Sequence, residues 1–157
     1  MPTLVLTFLH PELQPRFAFE WRHSVTIGGR SFVELGYAER ASPTVIRHDA
    51  ADTDVPARGR VLVDPANGTI ARTELAIEVA GDGVVTASQL ETTYRALPSL
   101  AMWVPVEMHE RWESRLTGAR GRSGPVEFVD GVATYRAFRR AVVETQEQVQ
   151  APAMPRP

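Results

Sequence analysis

Residues 56–80, PARGRVLVDPANGTIARTELAIEVA, constrain the fold of this chain more than any other stretch. Asp64-Pro65-Ala66-Asn67-Gly68 separates two apolar-alternating runs and has the chemistry of a short hairpin loop. An aspartate hydrogen-bonds forward to the turn backbone, a proline pre-sets φ, and a glycine takes the left-handed conformation without a Cβ penalty. On the second run Ala71, Thr73, Leu75, Ile77 and Val79 share one side, and Ile70, Arg72, Glu74, Ala76 and Glu78 the other. Such period-two alternation predicts an antiparallel sheet with one dry and one wet face. It names no chemistry.

The remainder of the chain reads the same way. Residues 2–9 (PTLVLTFL) predict a short helix packed on the sheet, with Pro2 at a first helical position and His10-Pro11 ending it. Residues 16–27 and 31–38 form a second hairpin around Gly28-Gly29-Arg30, and residues 43–47 a short further strand. Residues 84–95 read as a strand with Ser88, Leu90, Thr92 and Tyr94 on its drier face. In residues 102–112, Met102, Val104, Val106, Met108 and Trp112 are expected on one face, with Pro105 opposite them marking an edge or a bulge. A glycine- and arginine-rich loop follows at 116–124. The last strand is expected within 131–143, through Val132, Thr134, Arg136 and Phe138, preceded by a short strand at 125–128. The fold expected is mostly β: a curved antiparallel meander, or half-open β-barrel, of about eight strands joined in chain order, with at most one short N-terminal helix. Residues 1–143 form a single β domain, and residues 144–157 a disordered polar, proline-rich tail.

Composition excludes several functions. A formal net charge of -2 leaves no electrostatic footprint for nucleic acid. The 17 basic residues are all arginine, so no lysine is available for Schiff-base chemistry. Cys 0 removes disulfides, thiolate nucleophiles and cysteine metal sites. No apolar run is long enough to span a bilayer, and the opening MPTLVLTFLHP lacks the basic start and small-residue cleavage site of an export signal. His10, His23, His48 and His109 lie apart without metal-ligand spacing, and His109-Glu110 lacks the second histidine of H-E-x-x-H. No metal, cofactor or catalytic residue is assigned. Glu107, His109 and Arg111 alternate on one strand face toward Arg72 and Glu74, which reads as a ladder of opposite charges on a wet sheet face. Gly121-Arg122-Ser123-Gly124 reads as a surface loop rather than a phosphate cradle.

The residues RGRVLVDPANGTIARTELAIEV, WVPVEMHERW and GVATYRAFRR carry a resemblance. Asp64, Pro65 and Gly68; Arg72, Thr73 and Glu74; Trp103, Val104, Pro105, Glu107 and Met108; and Tyr135, Phe138 and Arg139 match its motifs in order. Over roughly residues 2–142 the chain resembles the C-terminal part of a bacterial envelope family with the outer-membrane lipoprotein carrier (LolA-like) fold. The resemblance implies a concave apolar face that holds acyl chains, a periplasmic or secreted location, and a chain lacking the export signal and covering helical part of longer relatives. The face expected to bind comprises Val61, Val63, Leu75, Ile77, Leu90, Tyr94, Val104, Val106 and Met108, with Trp21, Trp103 and Trp112 as a rim. The function expected is non-covalent binding of a hydrophobic small molecule or lipid. The alternative is an interaction domain whose open face is covered by a protein partner or a homo-oligomer contact. A sheet this large with so little helix has more apolar surface than it can hide, and such surplus marks binding.

Overall fold

The computed structural model describes residues 2–48, 52–81, 83–117 and 123–139. Among the described residues there are one short α-helix, α1 (Leu4–Phe8), two single-turn 3₁₀ helices at Gln14–Arg16 and Pro98–Leu100, and nine strands. These are β1 (Phe17–Ile27), β2 (Arg30–Glu39), β3 (Arg47–His48), β4 (Thr53–Asp54), β5 (Arg58–Val63), β6 (Ile70–Gly81), β7 (Val84–Leu97), β8 (Met102–Thr117) and β9 (Ser123–Thr134). Seven of them form one curved antiparallel sheet in the order β1-β2-β5-β6-β7-β8-β9, while β3 and β4 pair as a two-stranded flap inside the β2–β5 connection. The order is the chain order, as a meander built on tight turns requires. The sheet stays open, with β1 and β9 as its edges.

Turn chemistry explains the hairpins. The Asp64 side chain accepts from Ala66 N (2.9 Å), its carbonyl accepts from Gly68 N (2.8 Å), and Gly68 stands at φ 72. Gly28 and Gly29, at φ 55 and 78, make the two-residue turn between Ile27 and Arg30, whose twist suits adjoining strands.

Register divides the sheet into two faces. The inner face, on which α1 packs, carries Phe17 and Phe19, Leu35 and Tyr37, Val61, Thr73 and Leu75, and Leu90 and Thr92. Val5 and Phe8 of α1 complete this core: the Phe8 ring stacks on Phe17 (centroids 5.0 Å apart) and meets Tyr37 edge-on at 6.1 Å. Tyr94 fastens the segment before the helix, its hydroxyl donating to Pro2 O at 2.6 Å. Glu39, its side chain wholly buried, accepts from Val45 N (2.8 Å) and Ala57 N (3.3 Å) and faces Arg16 at 3.6 Å, pinning the long loop around the flap.

Three expectations change. Residues 43–46 bend rather than extend, and only Arg47–His48 pairs, because the loop's donors go to Glu39 and Asp54 instead of a neighbouring strand. The last strand is a single Ser123–Thr134 element, so Arg136 and Phe138 lie beyond its end. The tail expected at 144–157 and most of the 116–124 loop fall outside the described residues.

The third change concerns β8. Tyr94 pairs with Pro105, but Thr93 pairs with Glu107, so Val106 is an extra residue opposite the β7 ladder. Alternation resets there: Met108, opposite Thr92, is on the inner face, while Val104, opposite Arg95, is on the outer one. The proline explains the position. It has no N–H to give the ladder, and β9 pairing ends at Glu107, so Pro105 lies where β8 has a neighbour on one side only.

Candidate functional site

The inner face is covered over part of its length. A five-residue helix is about 8 Å long, whereas the sixteen residues of β8 extend about 50 Å. Beneath α1, Val61, Leu75, Leu90 and Tyr94 are sealed at 2 to 9% exposure. Those four of the expected binding residues belong to the chain's own core. Val63 is half-buried at the end of β5 and Val106 half-buried at the bulge, and Val104 is buried on the outer face. Ile77 and Met108 are the two that sit at the margin of the helix-covered core, partly buried and facing inward.

Past that margin no other element among the described residues covers the inner face. Ile77, Ser88, Trp112 and Val129 form one cross-strand row, and Gly81, Val84 and Leu116 another. Trp112 is 46% exposed, Leu116 48% and Val129 55%. These three were not among the residues expected to bind, although Trp112 was expected at the rim. Alternation already placed Trp112 with Met108; the bulge changes the facing of Val104 before it. Of the other tryptophans, Trp21 is exposed on the edge strand, while Trp103 is covered by the Arg30 guanidinium, which also lies over Phe32 and pairs with Asp64.

Charge is segregated between the faces. On the outer face Arg60 donates to Glu74 (2.8 Å through Nε) and lies 3.5 Å from Glu34, Arg72 faces Glu91 at 3.9 Å, and Arg111 donates to Asp130 at 3.2 Å. His109 and Glu107 are 2.9 Å apart beside them. The shallow depression lined by Arg60, Glu74, Glu91, His109, Arg111 and Asp130 is therefore a ladder of paired ions, as expected for a wet sheet face. Its groups stand about half-exposed to solvent except Glu74, which Arg60 partly covers. By contrast, the register assigns no arginine or histidine to the inner face of any of the seven strands. Its carboxylates are Glu39, buried at Arg16, and Glu110 and Glu127 on the uncovered part. Glu110 accepts from the Trp112 indole N–H at 2.8 Å.

The chain matches no family model, no curated protein and no solved structure. Among the described residues no group of three or more His, Asp or Glu is placed to hold a metal ion. No helix among them is long and apolar enough to cross a membrane.

Proposed function

We propose that the chain binds an apolar ligand non-covalently on the uncovered inner face, around Ile77, Met108, Trp112, Leu116 and Val129. One observation carries this reading: α1 ends where the inner face does not, and the large apolar side chains of Trp112 and Leu116 on β8 and Val129 on β9, directed inward, stay exposed to water. An acyl chain, the ligand class the resemblance to lipoprotein carriers implies, fits such an elongated strip.

The energetics differ from those of an enclosed pocket. A ten-carbon chain on an open face buries about half of its surface. At ~0.8 kcal/mol per fully buried methylene it gains roughly 4 kcal/mol, a dissociation constant of about a millimolar. Longer chains bind more tightly in proportion. The ligand is thus exchangeable, which suits handover more than storage. Met108, at the margin, supplies an adaptable thioether.

The test is titration with the neutral fluorophore N-phenyl-1-naphthylamine, with mass spectrometry of lipids extracted from the purified chain. Saturable fluorescence enhancement is expected, and Val129→Arg should remove most of it while leaving the far-UV circular dichroism unchanged. The absence of saturable enhancement in the parent chain rejects the reading.

A further inference from the structure

We infer that the ligand of the uncovered inner face is a cationic amphiphile, with a quaternary or primary ammonium next to its apolar chain. This rests on the reading above and specifies the chemistry of the head. Two independent observations support it. The uncovered inner face is negative only: Glu110 and Glu127 face the same side as Trp112 and Val129, and no basic side chain shares that face among the described residues. On the outer face, by contrast, Glu34, Glu74, Glu91, Glu107, Glu113 and Asp130 each have an arginine or histidine within 4.0 Å. An anionic head would thus meet like charge with nothing to offset it, whereas a cation would meet two carboxylates.

The second observation is the Trp112 ring. The indole N–H holds the Glu110 carboxylate beside the ring, and nearly half of the side chain is open to solvent. An exposed indole face next to a fixed carboxylate is the arrangement that recognises ammonium groups. Elsewhere the protein fills comparable positions with its own cations, Arg111 over Phe128 at 5.2 Å and Arg30 over Phe32 and Trp103 at 5.7 Å. Trp112 has no such cover among the described residues. The same charges argue against a second copy as occupant, because stacked inner faces would oppose Glu110 and Glu127 to their equivalents.

The experiment displaces N-phenyl-1-naphthylamine from the full chain with three decyl compounds below their micelle-forming concentrations: decyltrimethylammonium, decyl maltoside and decanoate. Circular dichroism monitors the fold, and sedimentation velocity monitors association. The ammonium compound is expected to bind roughly tenfold more tightly than the carboxylate at low salt, a gap that shrinks as salt screens it. Glu110→Gln with Glu127→Gln should erase most of that preference while decyl maltoside binding is kept, and Trp112→Leu, which also removes apolar contact, should weaken the ammonium compound several-fold more than decyl maltoside. The side-chain amide that Glu110→Gln introduces can still accept from the indole, so the fold is undisturbed. Equal or reversed affinities overturn this inference and leave the apolar reading standing. So does a preference that survives in the variants, which would locate the cation elsewhere. A dimer that blocks the fluorophore overturns it in favour of a second copy. If none of the three compounds displaces the probe, the apolar reading itself fails.

Discussion

Gly59 shows how much one missing methyl group can decide. It pairs with Tyr37 on one side and Leu75 on the other, and a Cβ there would stand 1.9 Å from Glu74 O and 2.7 Å from the Tyr37 hydroxyl. The backbones approach closely, and Tyr37 covers the gap, donating to Glu74 O at 2.8 Å. Gly59→Ala is therefore expected to cost about 3 kcal/mol or more in denaturant unfolding, and Tyr37→Phe about 1 kcal/mol. Burial, with Glu74 adding to it, pushes the Tyr37 phenol well above its ordinary range. A raised folded-state value means stability is complete below the ordinary phenol range and is lost as the pH rises above it. Tyr37→Phe should flatten that alkaline loss in a pH series of unfolding midpoints. Asp64 titrates in the opposite sense: the Ala66 N–H first, then Arg30, hold its carboxyl below the usual range. Its contribution is present above the ordinary carboxylate range and disappears as the pH falls through the lower folded-state value. Asp64→Asn should accordingly be less stable than the parent at neutral pH and equal to it in strong acid. The Asp64 turn was legible because D-P-x-N-G carries its own geometry. Glu39 was not, because its partners are backbone N–H groups brought to it by a loop with no local signature.

At the level of elements, strands and tight turns were readable because alternation and glycine positions are local. The β8 bulge was readable in kind but not in consequence. Pro105 announces an irregularity, yet whether the ladder skips at Val106 or before it depends on where β9 stops. That decides which side Val104 and Met108 face. The candidate site inherited this ambiguity: the apolar residues were named correctly as sheet residues, but four proved to lie under α1. The five residues of α1 are below the length at which a helix is stable by itself, so packing holds it. Phe8→Ala is expected to destabilise the fold by roughly 3–5 kcal/mol, measured by chemical denaturation. It should also raise N-phenyl-1-naphthylamine uptake, because the covered half of the inner face opens.

At the scale of the whole molecule, the two faces of the sheet differ in charge: the arginines and histidines of the seven strands lie on the outer face beside carboxylates, and the register places none on the inner one. Composition could not reveal this, since a net charge of -2 is silent about sides. The sidedness emerges only when alternation in every strand is brought into one register. The strand order has a further consequence. Because the strands of the seven-stranded sheet lie in chain order, with only the flap-bearing connection between β2 and β5 set between two of them, the sheet can zip up progressively from local pairings. The Tyr94 bond to Pro2, which spans 92 residues, belongs to a different event, the docking of the amino-terminal clasp on a finished platform. Native-state hydrogen exchange should therefore find the amides of residues 4–8 opening at far lower free energy than those of β6 and β7. A clasp that lifts without unzipping what lies beneath would let the open part of the inner face lengthen and shorten while the sheet stays intact.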